Sequence, residues 1–341
     1  LIPHLTQRPL VLGRSQVTSA LRERLTAELG AVGLSPLGGI LENDCCEVDL
    51  AAMLRLGRTN GCDGVVAIGG GKVLDAGKWL ARELGGLACV TVPTSASTCA
   101  GWTALTNIYS PQGAFLRDEA LERCPDLLIF DHDLVRLAPR RTLASGIADA
   151  MAKWYEASVS GGASGDGLVQ QAVQMARVLR DQVLLEGKDA LQNDRSQAWC
   201  RVSEACALSA GLIGGIGGAS CRTVAAHAVH NGLTQLPATH ALLHGEKVGF
   251  GILVQLRLEE QLGGHRLASQ ARHQLIPFFR SLGLPTCLED LGLADASLSD
   301  LRRVCEFALR PDSDLHHLPF PVADDELLGA LVSTTAELQP A

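Results

Sequence analysis

The chain has 341 residues, a formal charge of −8 and a 47% hydrophobic content, enough for two domains with separate cores. The acidic balance, with no lysine- or arginine-rich stripe, argues against nucleic acid and an anionic membrane surface as partners. Eleven scattered cysteines without a CxxC pair make no disulfide scaffold, and with no signal peptide or bilayer-length apolar run visible the expected compartment is the reduced cytoplasm.

The first part alternates strand-type and helix-type segments. Strands are expected at Pro9–Gly13, Val65–Ile68, Leu87–Val92 and Leu127–Asp131, with helices at Ser19–Leu29, Asp49–Arg58 and Lys72–Leu84. That alternation predicts a parallel α/β sheet. From about Leu137 the pattern changes to long helical segments: Thr142–Ser160, Gly167–Leu185, Ser196–Gly211 and Gly245–Leu262. A boundary within Leu137–Arg141 follows, dividing the chain into 1–138, α/β, and 139–341, all-helical. Cys45 and Cys46 read as surface or packing thiols.

Within the first domain, GVVAIGGGKVLDAGK runs strand, glycine turn, helix. Glycines there let the backbone approach a phosphate, and the N–H groups of the following helix start favour an anion. A triple glycine alone also suits a tight turn with no ligand. It is neither a Walker A loop, because Val73 follows the lysine, nor a GxGxxG fingerprint.

Within the second domain, His227 and His244 stand in the apolar, glycine-punctuated stretch VAAHAVHNGLTQLPATHALLHGEKVGFG, and Asp149 lies upstream in GIADAMAKWYEA. Two imidazoles and a carboxylate leave a coordination position open, as in a catalytic metal site. For Asp149 alone, the helix dipole or a salt bridge is an equal alternative to metal. His230 shares a helix face with His227. Its plainer reading is a hydrogen-bonded core histidine. Glu246 and Lys247 read as a local ion pair, His240 as exposed, and His316 and His317 as solvated loop residues.

These motifs, together with VPTSASTCAGWTALTNIY, resemble the metal-dependent alcohol dehydrogenase superfamily in its glycerol dehydrogenase branch. TCAGWTALTNIY, DAMAKWYEA and LRPDSDLHHLP are most similar to its hydroxycarboxylate dehydrogenases. The resemblance implies a Rossmann-like nucleotide-binding domain followed by an all-helical metal-binding domain, the dehydroquinate synthase-like fold, and a homo-oligomer. Relatives have a longer segment before the first strand, so this sequence is either truncated or simply shorter.

Carried over residue by residue, the resemblance makes Asp149, His227 and His244 the catalytic metal ligands, for zinc first, with iron, nickel or manganese as alternatives. It puts His230 near the coenzyme or the substrate, as a substrate contact. Gly70, Gly71, Lys72, Asp75, Thr94, Ser97, Thr103, Leu105 and Tyr109 become coenzyme contacts. Asp75 with Lys78 as a brace of the glycine turn, and Tyr109 as a strand-end aromatic, are the plainer readings. Arg14 stands where NAD-using relatives often have an acid, which favours NADP(H) over NAD(H) unless Arg14 only faces solvent.

Two positions bear on substrate. Lys153 follows Asp149 by one helical turn, where iron-type members have a histidine. Cys99 stands where glycerol dehydrogenases have an aspartate for a polyol. Removing a negative charge and adding a positive one suits a substrate carboxylate. The alternative is that Cys99 packs and Lys153 pairs with Glu156 on the helix surface. The expected reaction is metal-dependent, NAD(P)H-linked interconversion of a 2-oxo acid and a 2-hydroxy acid. The rivals are an NAD-dependent glycerol or polyol dehydrogenase and, more remotely, a 3-dehydroquinate synthase-like lyase.

Overall fold

The computed structural model describes residues 1–14, 16–264 and 266–336. The chain divides into two compact units, Leu1–Ala138 and Pro139–Ala341.

The first unit is built on the parallel strands β1 (Pro9–Gly13), β2 (Leu37–Ile40), β3 (Gly64–Gly69) and β4 (Ala88–Pro93), interleaved with helices α1 (Ser19–Ala31), α2 (Glu47–Thr59) and α3 (Gly71–Glu83). A hairpin follows, β5 (Leu105–Tyr109) and β6 (Phe115–Ala120), then the two-residue strand β7 (Leu127–Leu128) and the short helix α4 (His132–Arg136). The sheet order is β2-β1-β3-β4-β7, all parallel; β5 and β6 pair antiparallel outside it. β1 and β3 are buried along their whole length, as strands covered on both faces must be.

The order reverses at β1, since β2 is added on one side and β3 on the other. This places a topological switch point at the carboxyl ends of β1 and β3, where open α/β sheets bind ligands. Close packing of α3 on β3 requires Gly77, whose Cβ would lie 2.4 Å from that of Ala67.

The second unit is helical: α5 (Arg140–Ser160), α6 (Gly167–Gln192), α7 (Gln197–Glu204), α8 (Ala210–Gly217), α9 (Ala225–Leu233), α10 (His244–Gln261), α11 (Arg266–Leu282), α12 (Leu298–Ala308) and α13 (Asp324–Val332). The α/β-then-all-helical fold is therefore as expected from the sequence. Val224, Val229, Leu233, Phe250, Val254 and Leu258 from α9, its lead-in and α10 join Val304 and Leu327 in one buried core.

Several local expectations are corrected. The strand expected at Leu127–Asp131 keeps only its first two residues, and β2 and β6 were not foreseen. The helix expected over Ser196–Gly211 is interrupted by a π-helical turn, Ala205–Ser209. An apolar helical run of bilayer length does exist: by length and composition Gln197–Cys221 qualifies. Half of its most apolar 18-residue stretch is buried within the protein. Cys45 and Cys46 are fully buried packing thiols, and none of the eleven cysteines, all among the described residues, forms a disulfide.

Candidate metal and coenzyme sites

Three helices of the second unit meet with their backbones nearly in contact, because glycine stands at each close approach. A Cβ on Gly245 would lie 1.8 Å from the Ser145 carbonyl oxygen of α5, and one on Gly251 2.2 Å from the Ala226 carbonyl oxygen of α9. The Ser145 hydroxyl accepts the Gly245 N–H at 2.9 Å, capping α10 from its neighbour. Asp149 of α5, His227 of α9 and His244 of α10 converge there.

His227 Nε2 is 3.4 Å and His244 Nε2 3.2 Å from the same oxygen, Asp149 Oδ1, and the three donor atoms lie within 4.8 Å of one another. The edges of a tetrahedron built on 2.0–2.2 Å metal–ligand bonds are about 3.3 to 3.6 Å, so both nitrogen–oxygen separations suit a divalent ion. Asp149 lies mid-helix, more than two turns beyond Arg140, which removes the helix-dipole alternative. His244 is the most open of the three, 24% exposed against 10% and 4% for His227 and Asp149, so access to the site is from its side.

Burial pushes the Asp149 carboxyl up, but hydrogen bonds from His227 and His244 and the charges of His244 and Lys153 hold it well below its ordinary range. Burial pushes His227 down, yet Glu156 and Asp149 raise it to about 9. His244 is lowered, mainly by burial. Burial also lowers His230 well below its ordinary value, helped by the charges of His244, Lys247 and His227. His230 stays neutral, its ring edge-on to His244 at 4.2 Å between centroids and its Nδ1 2.9 Å from Asn231 Oδ1.

Glu156 is not a surface partner for Lys153. It is completely buried, and its carboxylate accepts from Val224 N, His227 N and His227 Nδ1. Its signal in the sequence was a second carboxylate two turns after Asp149 on an apolar helix. Lys153 is half-buried, and its charge acts on both Asp149 and His227. Glu246 pairs with Arg141 of α5 rather than with Lys247, and Lys247 donates to the Thr239 and Leu242 carbonyls. His240 is half-buried, bonded through Nε2 to the Thr234 carbonyl; His316 and His317 are exposed.

In the first unit, none of the glycines of the turn has a positive φ, so backbone angles do not explain them. Cβ atoms on Gly69 and Gly71 would meet Val73 at 2.7 Å and Thr98 at 2.8 Å, whereas one on Gly70 would meet nothing within 4 Å. Gly70 thus leaves backbone bare toward open space at the N-terminus of α3, a cradle suited to phosphate. Arg14 follows β1, and its guanidinium donates to Asp44 at 2.8 Å; Lys72 Nζ donates to the other oxygen of Asp44 at 2.6 Å and lies 4.4 Å from the Tyr109 ring centroid.

Thr94 follows β4, its N–H bonded to the Gly69 carbonyl, and Ser97 lies beyond it, bonded to Ser95. Asp75 forms a buried pair with Lys78 at 2.9 Å and accepts the Asn107 N–H; Lys78 also donates to Thr103 and to the Leu105 carbonyl. Asp75, Thr103 and Leu105 therefore share a brace between α3 and β5. Tyr109 and Cys99 are buried.

A parallel sheet with a phosphate cradle, joined in one chain to an Asp/His/His set, is the equipment of a metal-dependent dehydrogenase. Residues 1–132 match the family model of iron-containing alcohol dehydrogenases. An uncharacterized oxidoreductase of Synechocystis is 55% identical, covering 89% of this chain and 78% of that protein. Hydroxycarboxylate dehydrogenase A of Escherichia coli is 34% identical over 94% of this chain and 87% of its own length. The crystal structure of a probable glycerol dehydrogenase from Sinorhizobium meliloti superposes with a TM-score of 0.87 at 31% identity, covering 98% of this chain and 92% of that one. The chain belongs to the iron-containing alcohol dehydrogenase family, in its glycerol dehydrogenase branch, as an NAD(P)-dependent dehydrogenase acting on CH–OH groups.

Proposed function

We propose that the protein interconverts a 2-oxo acid and a 2-hydroxy acid. The observation that carries this reading is Lys153: a half-buried ammonium one turn from Asp149, its charge reaching the metal-ligand set. The similarity to hydroxycarboxylate dehydrogenase A supports it.

Asp149, His227 and His244 would hold the divalent ion, zinc first, which supplies a Lewis acid for the substrate's carbonyl oxygen, while a reduced nicotinamide supplies the hydride. Lys153 anchors the substrate carboxylate. His230, neutral and donating from Nδ1 to Asn231, presents Nε2 as an acceptor for the substrate hydroxyl. Cys99, lacking the acceptor strength of an aspartate, disfavours a polyol. In the first unit, Gly70, Gly71 and Lys72 cradle the coenzyme phosphates, with Thr94, Ser97 and Tyr109 as neighbours.

NADP(H) is the preferred coenzyme in this proposal, held by Arg14 at its 2′-phosphate. Asp44 moderates the preference, because the phosphate must compete with it for Arg14. An NAD-dependent polyol dehydrogenase is the second reading, supported by the likeness to the Sinorhizobium structure.

Initial rates of NADPH and NADH oxidation by metal-loaded protein test the proposal against 2-oxoglutarate, 2-oxobutyrate, oxaloacetate and dihydroxyacetone. Fastest turnover of a 2-oxo acid with NADPH is expected. Dihydroxyacetone with NADH as the best pair would establish the polyol reading instead.

A further inference from the structure

The buried carboxylate of Glu156 touches nothing outside the protein, yet it holds the helix that carries His227. The first turn of α9 has no side-chain N-cap, and its lead-in residue Val224 is fully buried. Orphan N–H groups in such a place are destabilising if left unpaired. They are satisfied from neighbouring helices: Glu156 Oε1 of α5 accepts from Val224 N at 2.8 Å and His227 N at 3.0 Å, and Gln255 Oε1 of α10 accepts from Ala226 N at 3.1 Å. The second oxygen, Glu156 Oε2, lies 2.6 Å from His227 Nδ1.

We propose that Glu156 is a positioning residue that fixes the tautomer and orientation of His227 for metal binding. Glu156 Oε1 already accepts two backbone N–H groups and Oε2 faces Nδ1, so Nδ1 keeps its hydrogen and Nε2, on the Asp149 side, is the nitrogen that gives up its proton to a metal ion. Carboxylate–imidazole–metal arrangements of this kind strengthen the ligand by raising its basicity and by fixing its ring. Here the same carboxylate also clamps the backbone of α9 at the ligand residue. Because α5 carries both Asp149 and Glu156, one helix supplies a ligand and sets the aim of a second. The inference rests on Asp149, His227 and His244 being the metal site.

The test is divalent-ion affinity of the full chain, measured by competition with a chromophoric chelator for Zn²⁺, with the absorption spectrum of the Co²⁺ form as a second readout. Glu156→Gln keeps an acceptor oxygen for Val224 and His227 N–H, but its amide group must donate to Nδ1, forcing the hydrogen onto Nε2. Affinity is expected to fall about 10- to 100-fold, with an altered Co²⁺ spectrum. Wild-type affinity and spectrum in the variant would overturn the proposal. Should the variant not fold, nitrogen-15 NMR of histidine-labelled, zinc-loaded wild type decides: a His227 hydrogen on Nδ1 is expected, and a hydrogen-free Nδ1 refutes the role. A wild-type protein that binds no divalent ion would instead refute the metal site itself.

Discussion

Replacing Gly245 by alanine probes how tightly the metal-ligand helices are held. The added Cβ would sit 1.8 Å from the Ser145 carbonyl oxygen, whereas carbon and oxygen ordinarily approach to about 3.3 Å. The neighbour is backbone, so no side-chain rotation relieves the clash, and α5 and α10 must part locally by roughly 1.5 Å. Overpacking of this kind costs about 1 to 3 kcal/mol, and the bond from Gly245 N to the Ser145 hydroxyl adds about 1 kcal/mol if it is lost. For a unit of this size the sum corresponds to a melting-temperature drop of roughly 4 to 16 °C. Gly245 adjoins His244, and Ser145 lies one turn before Asp149, so the shift falls on both ligands. Calorimetry and zinc titration of Gly245→Ala should show lower stability together with weaker binding, and turnover reduced about 100-fold, as expected of a 1 Å misplacement. A destabilised variant with wild-type zinc affinity and turnover would refute the claim that glycine at this contact sets the geometry of the site.

Other outcomes follow from single groups. Lys153→Ala should raise the Michaelis constant for a 2-oxo acid far more than for a neutral ketone; equal effects on both would remove the carboxylate anchor. Arg14→Ala should weaken NADPH while sparing NADH, and Asp44→Asn should strengthen NADPH; coenzyme constants unmoved by either would place the phosphate elsewhere. Glu259 is buried in α10, and desolvation pushes its carboxyl up to about 7 despite the hydrogen bond from Gln255. The folded value lies above the unfolded one, so its contribution to stability is complete below pH 4.5 and is lost as pH rises through 7, about 3 kcal/mol in all. Melting temperature should therefore decline between pH 5 and 7.5 in the wild type and be flatter in Glu259→Gln; identical slopes would contradict the assignment.

Periodicity made most elements legible. Pro9–Gly13 matches its predicted bounds, and the long helices around Asp149 and beyond His244 are buried on every side over most of their length. β2 was hidden because LGGI is short and half glycine, and β6 because FLRDEA is a largely exposed strand with a polar sequence. The π-helical turn between α7 and α8 has no marker in composition, since small apolar residues continue through it.

For the site, the ligand types were visible, but their convergence depends on contacts no spacing reveals. Gly245 and Gly251 look like flexible punctuation in sequence and prove to be the points where backbones touch. Glu156 was underestimated because a glutamate on a helix is usually solvated; only the packing of α9 against α5 buries it and gives it three donors. Asp44 was passed over for the same reason, its partners Arg14 and Lys72 being distant in sequence and adjacent only at the carboxyl edge of the sheet.

The most direct test of a metal-dependent oxidoreductase built on Asp149, His227 and His244 is reconstitution. Protein stripped by a chelator should lose NAD(P)H oxidation and regain it with one equivalent of a divalent ion per chain, and His227→Ala should retain neither ion nor turnover. Full activity in the stripped protein, or a full complement of ion in the variant, would contradict the account.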